Sequence, residues 1–197
     1  MVQTTASKRP VVRTAAIGGK PAVFFDGGDD FLDLDVNIDA AVAPEVTVIS
    51  VIQNQPGTTS TFAGVWGQDN GGYDRFLISG GVAWGTGVSN GNTFVPVAGL
   101  TAEGTRLVVT TTLRVDVTNG STVYVNGALA ATFTSTTRPG TSHMSLGNIN
   151  GPGSTTGQGF DGYVAELLVY RRALSTAERS GVSRVRRRDQ RGRHHRH

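Results

Sequence analysis

Residues 163–170 read Tyr-Val-Ala-Glu-Leu-Leu-Val-Tyr, and a period of two sorts them into two faces. One holds Tyr163, Ala165, Leu167 and Val169; the other holds Val164, Glu166, Leu168 and Tyr170. Only Glu166 breaks the apolar character, so the pattern predicts a strand covered on both sides, central in its sheet, with a neighbour at each edge. A turn at Asp161-Gly162 opens it. Ser175 and Glu178 follow at the S-x-x-E spacing, in which the Ser175 hydroxyl accepts from the Glu178 amide while the Glu178 carboxylate accepts from the Ser175 amide. This capping box predicts a short helix that runs into strongly basic sequence.

Upstream, short apolar runs alternate with Gly, Asn, Asp and Pro punctuation. After an irregular arm over residues 1–10 come VVRTAAI (11–17), PAVFF (21–25), FLDLDV (31–36), VTVISVIQ (46–53), TFAGVWGQ (61–68), RFLIS (75–79) and GVAWG (81–85). Residues 105–117 predict one long strand or a bent pair. Residues 123–133 predict a hairpin turning at Asn126-Gly127, where both residues accept the positive φ of a type I′ turn. The polar, glycine-rich segment 147–160 predicts a loop. No fixed-period repeat is present, which argues against a propeller or solenoid. Spacing of this kind predicts two packed antiparallel sheets.

Composition sharpens that picture. The 197 residues suit one domain with a tail, and 27 glycines among many threonines and valines favour an all-β protein. Cysteine is absent, which excludes disulfides and thiolate metal sites. The net charge of +3 is unevenly spread: residues 1–170 carry 8 Lys/Arg against 13 Asp/Glu, and residues 171–197 carry 10 Arg against 2 acids. An acidic body therefore bears a basic tail. Three readings of the tail compete: a solubilising extension, an electrostatic anchor for nucleic acid or an acidic surface, or a clamp on a partner's acidic patch. The acidic body argues against nucleic-acid binding. No apolar run has signal-peptide or membrane-span length, so neither membrane insertion nor general secretory export is expected.

Three segments in order, KPAVFFDGGDDFLDL (20–34), VYVNGALAATF (123–133) and GFDGYVAELLVYRRALSTAE (159–178), resemble the LamG-like domains of the concanavalin A-like lectin/glucanase superfamily. The resemblance implies a jelly-roll sandwich of two antiparallel sheets with one short C-terminal helix. It implies a division into an arm (1–10), the domain (11–178) and a basic helix end and tail (179–197). The chain departs from the pattern at the N-terminus, where such domains usually carry a further strand. The exposed edge left behind is expected to be covered by the folded-back arm or by another chain.

Catalytic signatures are missing. The E-x-D-x-x-E strand of retaining glycosidases, which sets acid and nucleophile about 5–5.5 Å apart, does not occur. Asp33 and Asp35 share a strand face without a joining glutamate and read as solvated edge carboxylates. Alginate-lyase-type jelly rolls need a histidine with tyrosine, arginine and glutamine, and the body offers only His143. The expectation is a protein that is not an enzyme. Asp26, Asp29 and Asp30 in one glycine turn, and Asp161 at another, are candidate ligands for Ca²⁺, a hard cation that takes carboxylate and carbonyl oxygens. The resemblance supports such a calcium by bringing the two turns together; the competing reading is turn capping by Asx hydrogen bonds. Trp84 and Tyr73, with Gln68, Asp69 and Asn70, are candidate sugar contacts, whereas Trp66 reads as a core anchor.

Two functions follow as expectations. One is a binding and display module for carbohydrate or another cell-surface ligand. The other is a structural virion component, a phage capsid decoration, head-fibre or tail protein, with an assembly partner at the N-terminal edge or basic tail. Both place the protein on a virion or another extracellular assembly rather than free in the cytoplasm.

Overall fold

The computed structural model describes residues 1–58, 62–69, 75–80, 85–87, 94–136, 143–149 and 158–188. Its elements are β1 (Val11–Ile17), β2 (Lys20–Asp26), β3 (Leu32–Leu34), β4 (Glu45–Asn54), β5 (Gly64–Gln68), β6 (Arg75–Ile78) and β7 (Gly85–Gly87). There follow β8 (Phe94–Val95), β9 (Arg106–Arg114), β10 (Ser121–Val125), β11 (Ala128–Phe133), β12 (Met144–Leu146), β13 (Asp161–Tyr170) and α1 (Thr176–Arg188). Two antiparallel sheets result, a seven-stranded β1-β2-β13-β4-β9-β10-β11 and a six-stranded β3-β12-β5-β6-β7-β8.

The fold is the expected sandwich. Strand β13 lies between β2 and β4, a central position as its pattern predicts. Its faces differ from strict alternation, because the register with β4 shifts between Val164 and Glu166. The bulge turns Leu167 and Val169 into the main core alongside Val164, and leaves Ala165, Leu168 and Tyr170 on the outside. A one-residue slip exchanges the faces of every later residue. Between the sheets, Phe25, Trp66 and Phe160 are fully buried, and the Phe25 and Phe160 rings lie 6.3 Å apart. Trp66 is the core anchor the sequence suggests.

Helix α1 covers part of the outer face of the larger sheet, where Leu174 joins Ile49, Val51 and Val108. The preceding turn is pinned by Thr47, whose hydroxyl donates to the Arg172 carbonyl and accepts from the Leu174 amide, both at 3.0 Å. The capping box forms as predicted: Ser175 N–H donates to Glu178 Oε2 at 2.8 Å and Glu178 N–H to Ser175 Oγ at 3.3 Å. Arg172 adds a two-pronged contact to the same carboxylate at 3.0 and 2.7 Å. The Asn126-Gly127 hairpin turns with φ of 52° and 83°, as a type I′ turn requires.

The N-terminal arm folds back. Val2 and Asp33 exchange two backbone hydrogen bonds of 3.0 Å, which gives the outer edge of β3 one antiparallel partner. Arg9 ties the arm to itself through the Gln3 and Thr4 carbonyls. Among the described residues no helix is long and apolar enough to cross a membrane.

Candidate functional site

Strand β2 ends where β13 begins, and their register sets Asp26 opposite Asp161. The FDGGDD and FDG turns therefore meet. Gly27 makes the approach possible: its φ is +77° and a side chain there would come within 2.9 Å of Asp161 Cβ. Its N–H donates to the Phe160 carbonyl at 3.0 Å. Asp26 closes the turn by accepting the Gly28 N–H at 2.9 Å, an Asx turn. Asp29 instead faces the arm, 3.5 Å from the Lys8 ammonium. Asp30 is only 7% exposed.

Electrostatics follow from that packing. Burial raises the Asp30 carboxyl above its ordinary pKa, the charges of Asp26 and Asp29 add to the rise, and a hydrogen bond from the Asp26 backbone opposes it. Burial and then the Asp26 charge raise Asp161 in the same way. Asp26 is thus the carboxylate common to both. The donor chemistry suits a hard cation, whose charge would relieve this repulsion. Among the described residues, however, no three His, Asp or Glu side chains stand at separations that would hold a metal by themselves. Backbone carbonyls and water would have to supply the remaining ligands.

The second candidate region differs from the sequence expectation. Gln68 and Asp69 are 2% and 4% exposed, so they do not offer their side chains to a ligand in solution. Gln68 Oε1 accepts from Ile38 N–H at 2.6 Å and its Nε2 donates to Asn37 Oδ1 at 2.7 Å, which spends the amide on the segment after β3. A buried amide in an apolar sandwich needs such partners. The Asp69 N–H donates to the Ile149 carbonyl at 3.1 Å. Opposite Gln68 in the register stands Arg75, 3% exposed, whose guanidinium donates to the Ile38 and Ala43 carbonyls. Sequence reasoning missed Arg75; the only signal was a cation opening the otherwise apolar run RFLI. Asn54, fully buried, likewise ties the Leu100 and Ala102 carbonyls to the end of β4. Tyr73, Asn70 and Trp84 lie outside the described residues.

Elsewhere, His143 stands 4.0 Å from Asp33 and 3.9 Å from Asp35 on the surface. Asp35 is completely exposed, in keeping with a solvated edge carboxylate.

Comparison with known proteins adds the family. A laminin G profile, described as the concanavalin A-like lectin/glucanases superfamily, matches residues 16–178. No curated protein matches the chain. Among solved structures, domain 4 of AbnA, an extracellular arabinanase from Geobacillus stearothermophilus in complex with arabinotriose, is similar over 88% of this chain and 81% of its own, with TM-score 0.58 and 18% identity. The CBM40 of the Ruminococcus gnavus IT-sialidase, bound to alpha2,3 sialyllactose, is similar over 88% of this chain and 98% of its own, with TM-score 0.56 and 18% identity. The binding domain of botulinum neurotoxin serotype D is similar over 92% of this chain and 48% of its own, with TM-score 0.58 and 9% identity. The chain therefore spans about half of that toxin domain.

Proposed function

The chain belongs to the concanavalin A-like lectin/glucanase superfamily, and from that premise we propose that it is a non-catalytic module that binds carbohydrate through loops at one rim of the sandwich. One observation carries the reading: the same two-sheet body, over 88% of its length, resembles two compact domains that were solved with oligosaccharides bound. The sequence also lacks the E-x-D-x-x-E strand of the family's retaining glycosidases.

The proposed sugar contacts are Trp84, Tyr73 and Asn70. In the sequence they belong to the segments adjoining β5, β6 and β7, and the network of Gln68, Asn37, Ile38 and Arg75 braces the ends of β5 and β6 from which those segments depart. A rigid support under recognition loops is what a binding rim requires. We assign Asp26 and Asp161, opposed in the register, as the carboxylates of a Ca²⁺ site that locks the β2–β13 turn and is completed by turn carbonyls and water, with Asp30 buried beside Asp26 and Asp29 held aside by Lys8. The basic tail leaves a second reading open, display on a virion or another extracellular assembly, in which residues 171–197 dock on an acidic partner.

A glycan array probed with the whole chain and with Trp84→Ala tests the binding reading. Saturable binding of an oligosaccharide, lost in the variant, supports it. Silence across plant, bacterial and sialylated glycans, combined with multimers on size exclusion, favours the assembly reading.

A further inference from the structure

Past Ile49, Val51 and Val108, where Leu174 packs, the outer face of the larger sheet continues to a row of five residues in register. Val11, Phe24, Tyr163, Gln53 and Arg106 stand side by side on β1, β2, β13, β4 and β9. Their strand neighbours Val23, Phe25, Val164, Ile52 and Leu107 belong to the main core, so alternation turns this row outward. The half-buried rings of Phe24 and Tyr163 lie 5.0 Å apart, tilted by 46°. The exposed Arg13 guanidinium, from the next position of β1 on that face, lies 5.8 Å from the Phe24 ring. Asp26 and Asp161 occupy the next positions of β2 and β13 on the opposite side of the rings. Such a step of two residues is about 6.7 Å, so the ring pair has a cation on one side and two carboxylates on the other. Among the described residues no hydrogen bond engages the Tyr163 hydroxyl, the Gln53 amide or the Arg13 guanidinium, and no carboxylate pairs with Arg13.

We propose that this face binds a carboxylate-bearing sugar, a uronic or sialic unit of an oligosaccharide. The rings offer apolar surface to the C–H face of the sugar, Arg13 offers a two-pronged donor to its carboxylate, and Gln53 and Tyr163 offer partners to its hydroxyls. Charge sets the orientation, because Asp26 and Asp161 turn the carboxylate away from their end and toward Arg13. The same two acids oppose a phosphate backbone, which disfavours single-stranded nucleic acid as the partner of the rings. Two rings among polar groups also supply too little apolar surface for the core of a protein interface. The site belongs to the larger sheet and shares only its class of ligand with the rim proposed above.

The probes are oligosaccharides of galacturonic acid and of N-acetylneuraminic acid, each beside its methyl ester, with oligothymidylate as control. They are titrated into the whole chain by calorimetry and by amide NMR. Saturable binding of at least one acid, about tenfold tighter than its ester, is expected, with shift changes at Arg13, Phe24, Gln53 and Tyr163. Arg13→Gln, a change at an exposed position, lowers that affinity about tenfold, the scale of one charge-assisted hydrogen bond, and erases the preference over the ester. Tyr163→Ala abolishes binding; Gln53→Ala, which keeps the ring pair, weakens it and serves if the tyrosine variant does not fold. Trp84→Ala leaves the binding unchanged. Failure of every acid to bind, equal binding of the ester, an unchanged Arg13→Gln, or tighter binding of oligothymidylate would each overturn the proposal. Loss of binding in Trp84→Ala but not in Arg13→Gln would overturn it as well and leave the rim reading standing.

Discussion

Asp161 stands directly opposite Asp26 in the β2–β13 ladder, so the two turns that resemble the family's paired segments meet through like charges. Directly opposed like charges destabilise a sheet pair. Asp30, buried beside them, adds to the cost, and the carboxyls of Asp30 and Asp161 are held above their ordinary pKa of 3.8. A carboxyl with a raised folded pKa binds its proton more tightly folded than unfolded. Its penalty is therefore fully present above the folded pKa and fades as pH falls toward the ordinary value. Glu45, lowered chiefly by its hydrogen bond from Arg114, acts in the opposite sense: its contribution is present above 4.5 and is lost as pH falls through its folded pKa. The double variant Asp30→Asn/Asp161→Asn should thus gain stability at neutral pH without added metal and lose that advantage near pH 3.8. Urea denaturation at a series of pH values measures both effects.

Calcium should supply the missing countercharge. Millimolar Ca²⁺ is expected to raise the melting temperature, and a chelator to reverse the rise. By mass action a ligand at about 100 times its Kd adds about 2.7 kcal/mol. Asp161→Asn should abolish the response. A wild-type melting curve indifferent to both Ca²⁺ and chelator would remove the metal assignment.

Much of the frame was legible in the sequence because it rests on local rules. Asn126-Gly127 specifies its turn through backbone sterics, and Ser175 and Glu178 specify a helix start through two reciprocal hydrogen bonds. The faces of β13 were not legible past Val164, because the bulge is imposed by pairing with β4, a partner more than 100 residues away. The burial of Gln68 was not legible for a related reason. A polar, glycine-flanked residue suggests a loop contact, and only the fold shows that Asn37 and Ile38 pass close enough to bury its amide. Long-range packing decides such residues, and period and composition do not encode it.

Gly147 offers a sharp test of the interior. Its φ is +83°, and a side chain there would lie 2.1 Å from the Phe25 ring, which is fully buried in the main core. Gly147→Ala combines left-handed strain with overpacking, each worth about 1–3 kcal/mol. Insoluble expression or a strongly depressed melting temperature is expected, against a clearly smaller loss for Gly104→Ala, which carries the left-handed strain alone at φ +61° because its Cβ would meet open space.

Glu178 fixes the start of α1 to the turn that follows β13. Its carboxyl is depressed to about 2, first by the hydrogen bonds from Arg172 and then by those from Ser175. The anchoring is therefore complete above the ordinary value of 4.5 and fails as pH falls through about 2. Glu178→Ala should speed amide exchange in residues 176–182 at neutral pH and leave β4 and β9 protected. Fast exchange spreading into those strands would mean that the helix is part of the cooperative core.

Gln68 and Trp84 should separate support from recognition. The Gln68 amide is buried and bonds Ile38 N–H and Asn37, so Gln68→Leu deprives the buried Ile38 N–H of that partner, while the half-buried Asn37 Oδ1 keeps the Asp39 N–H. Such a loss costs about 1–3 kcal/mol, and the variant should melt well below the wild type. At temperatures where it remains folded, its glycan selectivity on the array should match the wild type, because the side chain faces inward. Trp84→Ala should do the reverse, losing bound sugar by about tenfold or more through the missing aromatic contact while leaving the melting temperature within a few degrees. Measured together by calorimetry and array binding, the two variants must fall on different axes. If Gln68→Leu instead abolished sugar binding at unchanged stability, the amide would have to be a ligand contact and the rim would be built differently from the arrangement described above.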